Sequence, residues 1–72
     1  MKKIKKIKIR ANGKIKSVPE NYKMSEFVKN LNIPLKKVAI ELNQEIIDKN
    51  KLNKIKLKKN DTIEIVHFIG GG

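Results

Sequence analysis

The 72-residue chain contains no cysteine and no tryptophan. Without thiols it has neither disulfides nor a thiolate zinc site to staple a domain of this size. Histidine occurs once, at His67, and serine only at Ser17 and Ser25, neither in a nucleophile-elbow setting. The carboxylates Glu20, Glu26, Glu41, Glu45, Asp48, Asp61 and Glu64 are scattered, with no metal-ligand spacing. No glycine-rich phosphate loop is present. These absences argue against autonomous catalysis. Aromatics are limited to Tyr22, Phe27 and Phe68, too few for the stacking platforms that single-stranded nucleic acids need. No apolar run approaches membrane-span length. The start Met1-Lys2-Lys3-Ile4-Lys5-Lys6 is basic but leads into no apolar h-region, so no signal peptide is expected and the expected location is cytoplasmic.

Acidic residues are scarce relative to basic ones, and the net charge is +11. Residues 1–16, which include Arg10, and residues 49–59 are rich in lysine and contain no acidic residue. Such a balance attracts acidic partners or nucleic acid. It is also what a lysine- and isoleucine-rich composition produces on solvated strand faces, and that plainer reading is preferred.

What is there is mostly periodicity. Ile7 and Ile9 alternate with basic residues over 3–10, predicting a half-buried strand, with Ile4 out of phase. Asn12-Gly13 is a strong hairpin signal, read here as a turn and nothing more. Ile15 to Val18 is the return strand, ended by Pro19. Met24, Phe27, Val28 and Leu31 then mark one face of a short helix that Pro34 stops by about Asn32. Val38, Ile40 and Leu42 alternate as a third strand, Asn43-Gln44 forms a tight turn, and Ile46-Ile47 a brief edge strand. Asp48 to Asn53 reads as polar and irregular, with at most one helical turn and Leu52 tucked inward. Ile55 and Leu57 suggest a short extended piece. After a turn at Lys58-Lys59-Asn60-Asp61, Thr62 to Phe68 is the last strand, with Ile63 and Ile65 inward and Thr62, Glu64, Val66 and Phe68 outward. The fold expected is α+β: one helix packed across one face of a mixed four- to five-stranded sheet, with Ile7, Ile9, Ile40, Leu42, Ile63 and Ile65 between. Residues 1–69 form the domain and 70–72 a flexible tail.

Three of the four glycines stand together as Gly70-Gly71-Gly72. At ordinary glycine usage, a chance terminal triplet has a frequency of about 3 in 10,000. A terminal Gly-Gly carboxylate is slender and ionised, and it lacks any Cβ that would keep it out of a narrow channel. It is inert until activated. An ATP-using enzyme could convert it to an acyl-adenylate, open to attack by sulfur or nitrogen nucleophiles, if the channel excludes water.

The runs Val38-Ala39-Ile40-Glu41-Leu42-Asn43-Gln44-Glu45-Ile46-Ile47 and Lys59 through Gly72, ending Glu64-Ile65-Val66-His67-Phe68-Ile69-Gly70-Gly71-Gly72, closely resemble the ThiS family, sulfur carriers of thiamine (thiazole) biosynthesis. The resemblance extends over the whole chain. It implies a ubiquitin-like β-grasp fold. It also implies that a ubiquitin-activating-like adenylyltransferase consumes ATP on the Gly72 carboxylate. Sulfur from a donor such as a cysteine desulfurase then displaces AMP, and the thiocarboxylate serves thiazole synthase. On this resemblance Gly72 is the modified residue, Gly70 and Gly71 the slender approach, and Val66, His67, Phe68 and Ile69 the neck that partners grip. No catalytic residue, bound cofactor, metal, membrane or specific nucleic-acid partner is implied, and the free carrier is expected to be monomeric. The chain departs from the family in its high charge. It also has Gln44 where relatives often carry glycine, which predicts a looser or different turn there. A molybdopterin-type or tRNA-thiolation carrier of the same fold is the near alternative. A small basic, non-specific nucleic-acid-binding module is the alternative of another class.

Overall fold

The computed structural model describes residues 5–68. The hairpin comes first: β1 (Lys6–Ala11) and β2 (Lys14–Pro19) pair antiparallel from Lys6↔Pro19 to Ala11↔Lys14. Asn12 and Gly13 both take positive φ, 50° and 81°, so the turn has the primed geometry whose twist matches the strands.

Helix α1 (Met24–Leu31) follows, with Met24, Phe27 and Val28 buried and Leu31 half-buried. Its N-cap is Lys23, which has no side-chain oxygen to offer. A tertiary bond does the capping instead. The Ile55 carbonyl accepts from Met24 N–H at 2.8 Å, and Tyr22 O accepts from Leu57 N–H at 2.7 Å. The extended piece expected at Ile55–Leu57 therefore bridges the helix entrance, through Lys23↔Lys56, rather than joining the sheet. The helix stops at Asn32, whose φ of 57° is left-handed.

A short 3-10 turn at Leu35–Lys37 leads into β3 (Val38–Leu42), which turns at Asn43-Gln44 into the two-residue β4 (Glu45–Ile46). Ile46 is exposed, and Ile47 is half-buried against the core. The segment read as irregular is more ordered than expected. Lys49–Lys54 is a six-residue 3-10 helix, opened by the Asp48 carboxylate accepting from Asn50 N–H at 2.9 Å. Asp48 is a good capping residue, but the helical run lacks a 3.6-residue apolar stripe, which hid it. Leu52 does point inward. Strand β5 (Thr62–His67) closes the sheet in the order β2-β1-β5-β3-β4, parallel to β1 and antiparallel to β3.

The helix covers one sheet face. Between them lie Ile9, Ile40 and Ile63 as expected, together with Val18, Val38, Leu52 and Leu57. Ile7, Leu42 and Ile65 are only partly buried at the rim of this core.

The Asn43-Gln44 turn is tight, as its residues predict, and is not loosened by the absence of glycine at Gln44. It is a tight two-residue connection, Leu42↔Glu45, with φ of 52° and 72°. Gln44 thus occupies a left-handed position without glycine's freedom, at a cost of about 1–2 kcal/mol. Allowing for glycine's greater entropy when unfolded, Gln44→Gly is expected to stabilise the domain by about 0.5–1 kcal/mol. A urea titration would read this as a higher midpoint at unchanged slope.

Candidate functional site

Strand β5 ends at His67, one residue before the last described position, Phe68. Its residues alternate as the sequence predicts. Ile63 and Ile65 face the helix. Thr62, Glu64 and Val66 face the open side, in register with Glu41 and Ala39 of β3. Val66 is 51% exposed and Phe68 52%. Both are exposed, as the outward reading predicts. His67 shares the inward parity but is exposed. It sits opposite Val38. Ile69, Gly70, Gly71 and Gly72 lie outside the described residues.

Two neighbours hold this strand where the regular ladder stops. Strand β1 pairs with β5 only at Arg10↔Thr62 and Ala11↔Ile63, then turns away. Asn12 extends the contact. Its backbone N–H donates to Ile63 O at 2.9 Å, and its Oδ1 accepts from Ile65 N–H at 2.8 Å. The hairpin turn therefore does more than reverse the chain: one asparagine supplies both the left-handed conformation and a side-chain rung beside β5. On the other side Phe68 N–H donates to Lys37 O at 2.9 Å, one step past the last strand pair. Lys49 reaches in from the 3-10 helix. Its Nζ donates to Leu35 O at 2.7 Å and Val38 O at 2.8 Å, and lies 5.6 Å from the centre of the Phe68 ring. Sequence reasoning passed over Lys49 because nothing distinguishes it among so many lysines.

At the base of β5 the turn is fixed by a buried carboxylate. Asp61 Oδ2 accepts from Lys58 N–H at 2.7 Å, and its Oδ1 from Asn43 Nδ2 at 3.0 Å. Asn43 Oδ1 in turn accepts from Thr62 N–H at 2.9 Å. The turn that leaves β3 and the turn that enters β5, at the same end of their pairing, are thereby tied together.

The open face beside the neck is not uniformly basic. Glu41 and Glu64 stand directly opposite each other on β3 and β5, with Ile46 next to Glu41. The fold brings these two carboxylates together although the sequence separates them. No glutamate takes part in the side-chain hydrogen bonds among the described residues. The basic residues Lys6, Lys8 and Arg10 lie on the same face of β1, toward the hairpin. Among the described residues no cluster of three or more His, Cys, Asp or Glu could hold a metal ion. No helix among them is long and apolar enough to cross a membrane.

A helix grasped by a mixed five-stranded sheet, with an exposed apolar neck where the last strand ends, defines a ubiquitin-like β-grasp domain. The ThiS family profile matches residues 5–72, and the chain belongs to that family. It is 35% identical to the sulfur carrier protein ThiS of Bacillus subtilis over 65 residues, 89% of this chain and 98% of that one. Its fold superposes on the crystal structure of the thiamine biosynthesis protein ThiS from Geobacter metallireducens with a TM-score of 0.80. That match has 28% identity and covers 92% of this chain and all of the other. It is also 32% identical, over 66 residues, to the thiazole synthases of Magnetococcus marinus and Paramagnetospirillum magneticum. The chain spans 20% of the length of each synthase.

Proposed function

We propose that this chain is a sulfur carrier for thiazole formation in thiamine biosynthesis, with residues 1–69 as the body and 70–72 as the tail that carries the sulfur. The observation that carries the reading is the near end-to-end match with the Bacillus carrier on a shared fold. The carrier is a substrate and not an enzyme. One Gly72 carboxylate oxygen attacks the α-phosphorus of ATP on an adenylating partner, and pyrophosphate leaves. A persulfide sulfur then attacks the acyl carbon and AMP leaves. A thiol reduces the resulting acyl disulfide, taking up its other half as a disulfide and freeing the thiocarboxylate. ATP is consumed by the partner, and the carrier itself binds no cofactor. Gly70 and Gly71 let the chain lie in a narrow channel, because no Cβ meets its walls. Val66, His67, Phe68 and Ile69 form the grip, consistent with the exposure of the first three.

Thiazole synthase is the proposed acceptor. In two relatives a segment similar to this chain is part of a polypeptide named thiazole synthase. Joining carrier and acceptor raises their effective concentration without any new contact, so the arrangement is what a working pair favours. The proposed setting is the cytoplasm, where ATP and the donor enzymes are at hand.

The test is intact mass after incubation with the adenylating enzyme, ATP and a sulfur donor. The expected result is one oxygen-for-sulfur exchange, localised by fragmentation to Gly72. An unchanged mass, with the adenylating enzyme active on another carrier, overturns the reading.

A further inference from the structure

Lys49 occupies an unusual place for a surface lysine. Strand β4 ends at Ile46, opposite Glu41, so no strand continues alongside the first residues of β3. Ile40 O on that side accepts from Ile47 N–H at 2.8 Å. Val38 O points the same way, two residues earlier, where β4 no longer reaches. The Lys49 ammonium fills the gap, bonding Val38 O and Leu35 O. An ammonium has three donors and no acceptor. With two donors on carbonyls, its remaining side lies over the negative face of the Phe68 ring. Phe68 is thus held twice, through its backbone on Lys37 O and through its ring on Lys49.

We propose that Lys49 is a positioning residue for Phe68 at the partner-gripped end of β5. By holding Phe68 against the start of β3, it presents the exposed end of β5 to a partner in one fixed arrangement. This rests on the sulfur-carrier reading and adds to it the residue that preorganises the gripped surface. A surface fixed before docking lowers the ordering cost that binding must otherwise meet.

The experiment compares wild type, Lys49→Met, Lys49→Arg, Phe68→Leu and the Lys49→Met/Phe68→Leu double variant. The readout is ATP-dependent pyrophosphate release by the adenylating enzyme as carrier concentration is varied. Lys49→Met is expected to raise KM for the carrier about fivefold, the size of one cation–π contact, while kcat stays within about twofold because the cost falls on binding. Lys49→Arg, which keeps a cation over the ring, stays near wild type. The double variant is no worse than Phe68→Leu alone, since both changes remove one contact. An unchanged KM for Lys49→Met, or effects of the two single changes that multiply, overturns the proposal. Should Lys49→Met melt below the assay temperature, Lys49→Gln replaces it, keeping an N–H for the carbonyls without the charge. Independently of any enzyme, the Lys49 ε-methylene protons of the free wild type should show an upfield ring-current shift that Phe68→Leu removes; absence of that shift also overturns the proposal. Wild-type carrier that supports no pyrophosphate release counts against the sulfur-carrier reading instead, and leaves the ring-current result to decide the clamp.

Discussion

Deleting Gly72, or adding one residue after it, is expected to lower ATP-dependent activation by more than about 100-fold while leaving the melting temperature unchanged. The reasoning is geometric. Successive Cα atoms are about 3.8 Å apart, and in-line attack on the α-phosphorus tolerates errors of only about 1 Å. One residue too few leaves the carboxylate short of phosphorus. One too many places a peptide group, which cannot attack, where the carboxylate should be. Stability is unaffected because the buried residues that hold the body together run from Ile9 to Ile63. Pyrophosphate release and a thermal melt on the same samples separate the two outcomes. Activation that survives either change means the terminal carboxylate is not the activated group.

The second large effect concerns Asp61. Its carboxylate is buried and accepts from the Lys58 backbone and the Asn43 side chain. Asp61→Ala leaves both donors without a partner in a nearly closed site. Hydrogen bonds to a charged group contribute about 1.5–3 kcal/mol each, and their loss is not fully recovered by water in such a place. A loss of about 2–4 kcal/mol is a large share of the roughly 4–11 kcal/mol expected for a domain of this size. It corresponds to a fall in Tm of about 10–25 °C. Asp61→Asn, which keeps one acceptor oxygen, should fall between. If Asp61→Ala melts within a few degrees of wild type, the turn is not held by this carboxylate. Because Asn43 also binds Thr62 N–H, Asn43→Ala and Asp61→Ala should be less than additive.

Much of the architecture was legible because alternation and helical spacing follow directly from backbone geometry. Ile7/Ile9, Met24/Phe27/Val28, Val38/Ile40 and Ile63/Ile65 each announce their element and the face it buries. The outward phase of Val66 and Phe68 was legible for the same reason, since side chains on a strand alternate with period two. The capping of α1 by Ile55 O was not, because the partner lies far along the chain and contributes only backbone. The 3-10 helix at Lys49–Lys54 was read as no more than one turn because three residues per turn leave one apolar contact, Leu52, and no stripe to detect.

Glycine scarcity explains another part. With one glycine outside the final triplet, left-handed positions had to go to other residues. Asn12, Asn21, Asn32, Asn43 and Asn60 take five of them and Gln44 a sixth. Asparagine tolerates this region because its short polar side chain bonds locally. At Asn12 and Asn43 the same side chain also bonds β5, through Ile65 N–H and Thr62 N–H. A pattern reader sees asparagine only as a turn former. The second role exists once β5 lies beside the turn.

The sequence by itself determined the strands, the helix and their buried faces, because these depend on local periodicity, and it marked the glycine triplet as the group to watch. Only the tertiary structure decided what surrounds the neck. Asn12 on one side, Lys49 on the other and the facing pair Glu41–Glu64 come from segments far apart in the chain. Their meeting depends on strand order and register, which are set by how the whole core packs, and no local pattern encodes them.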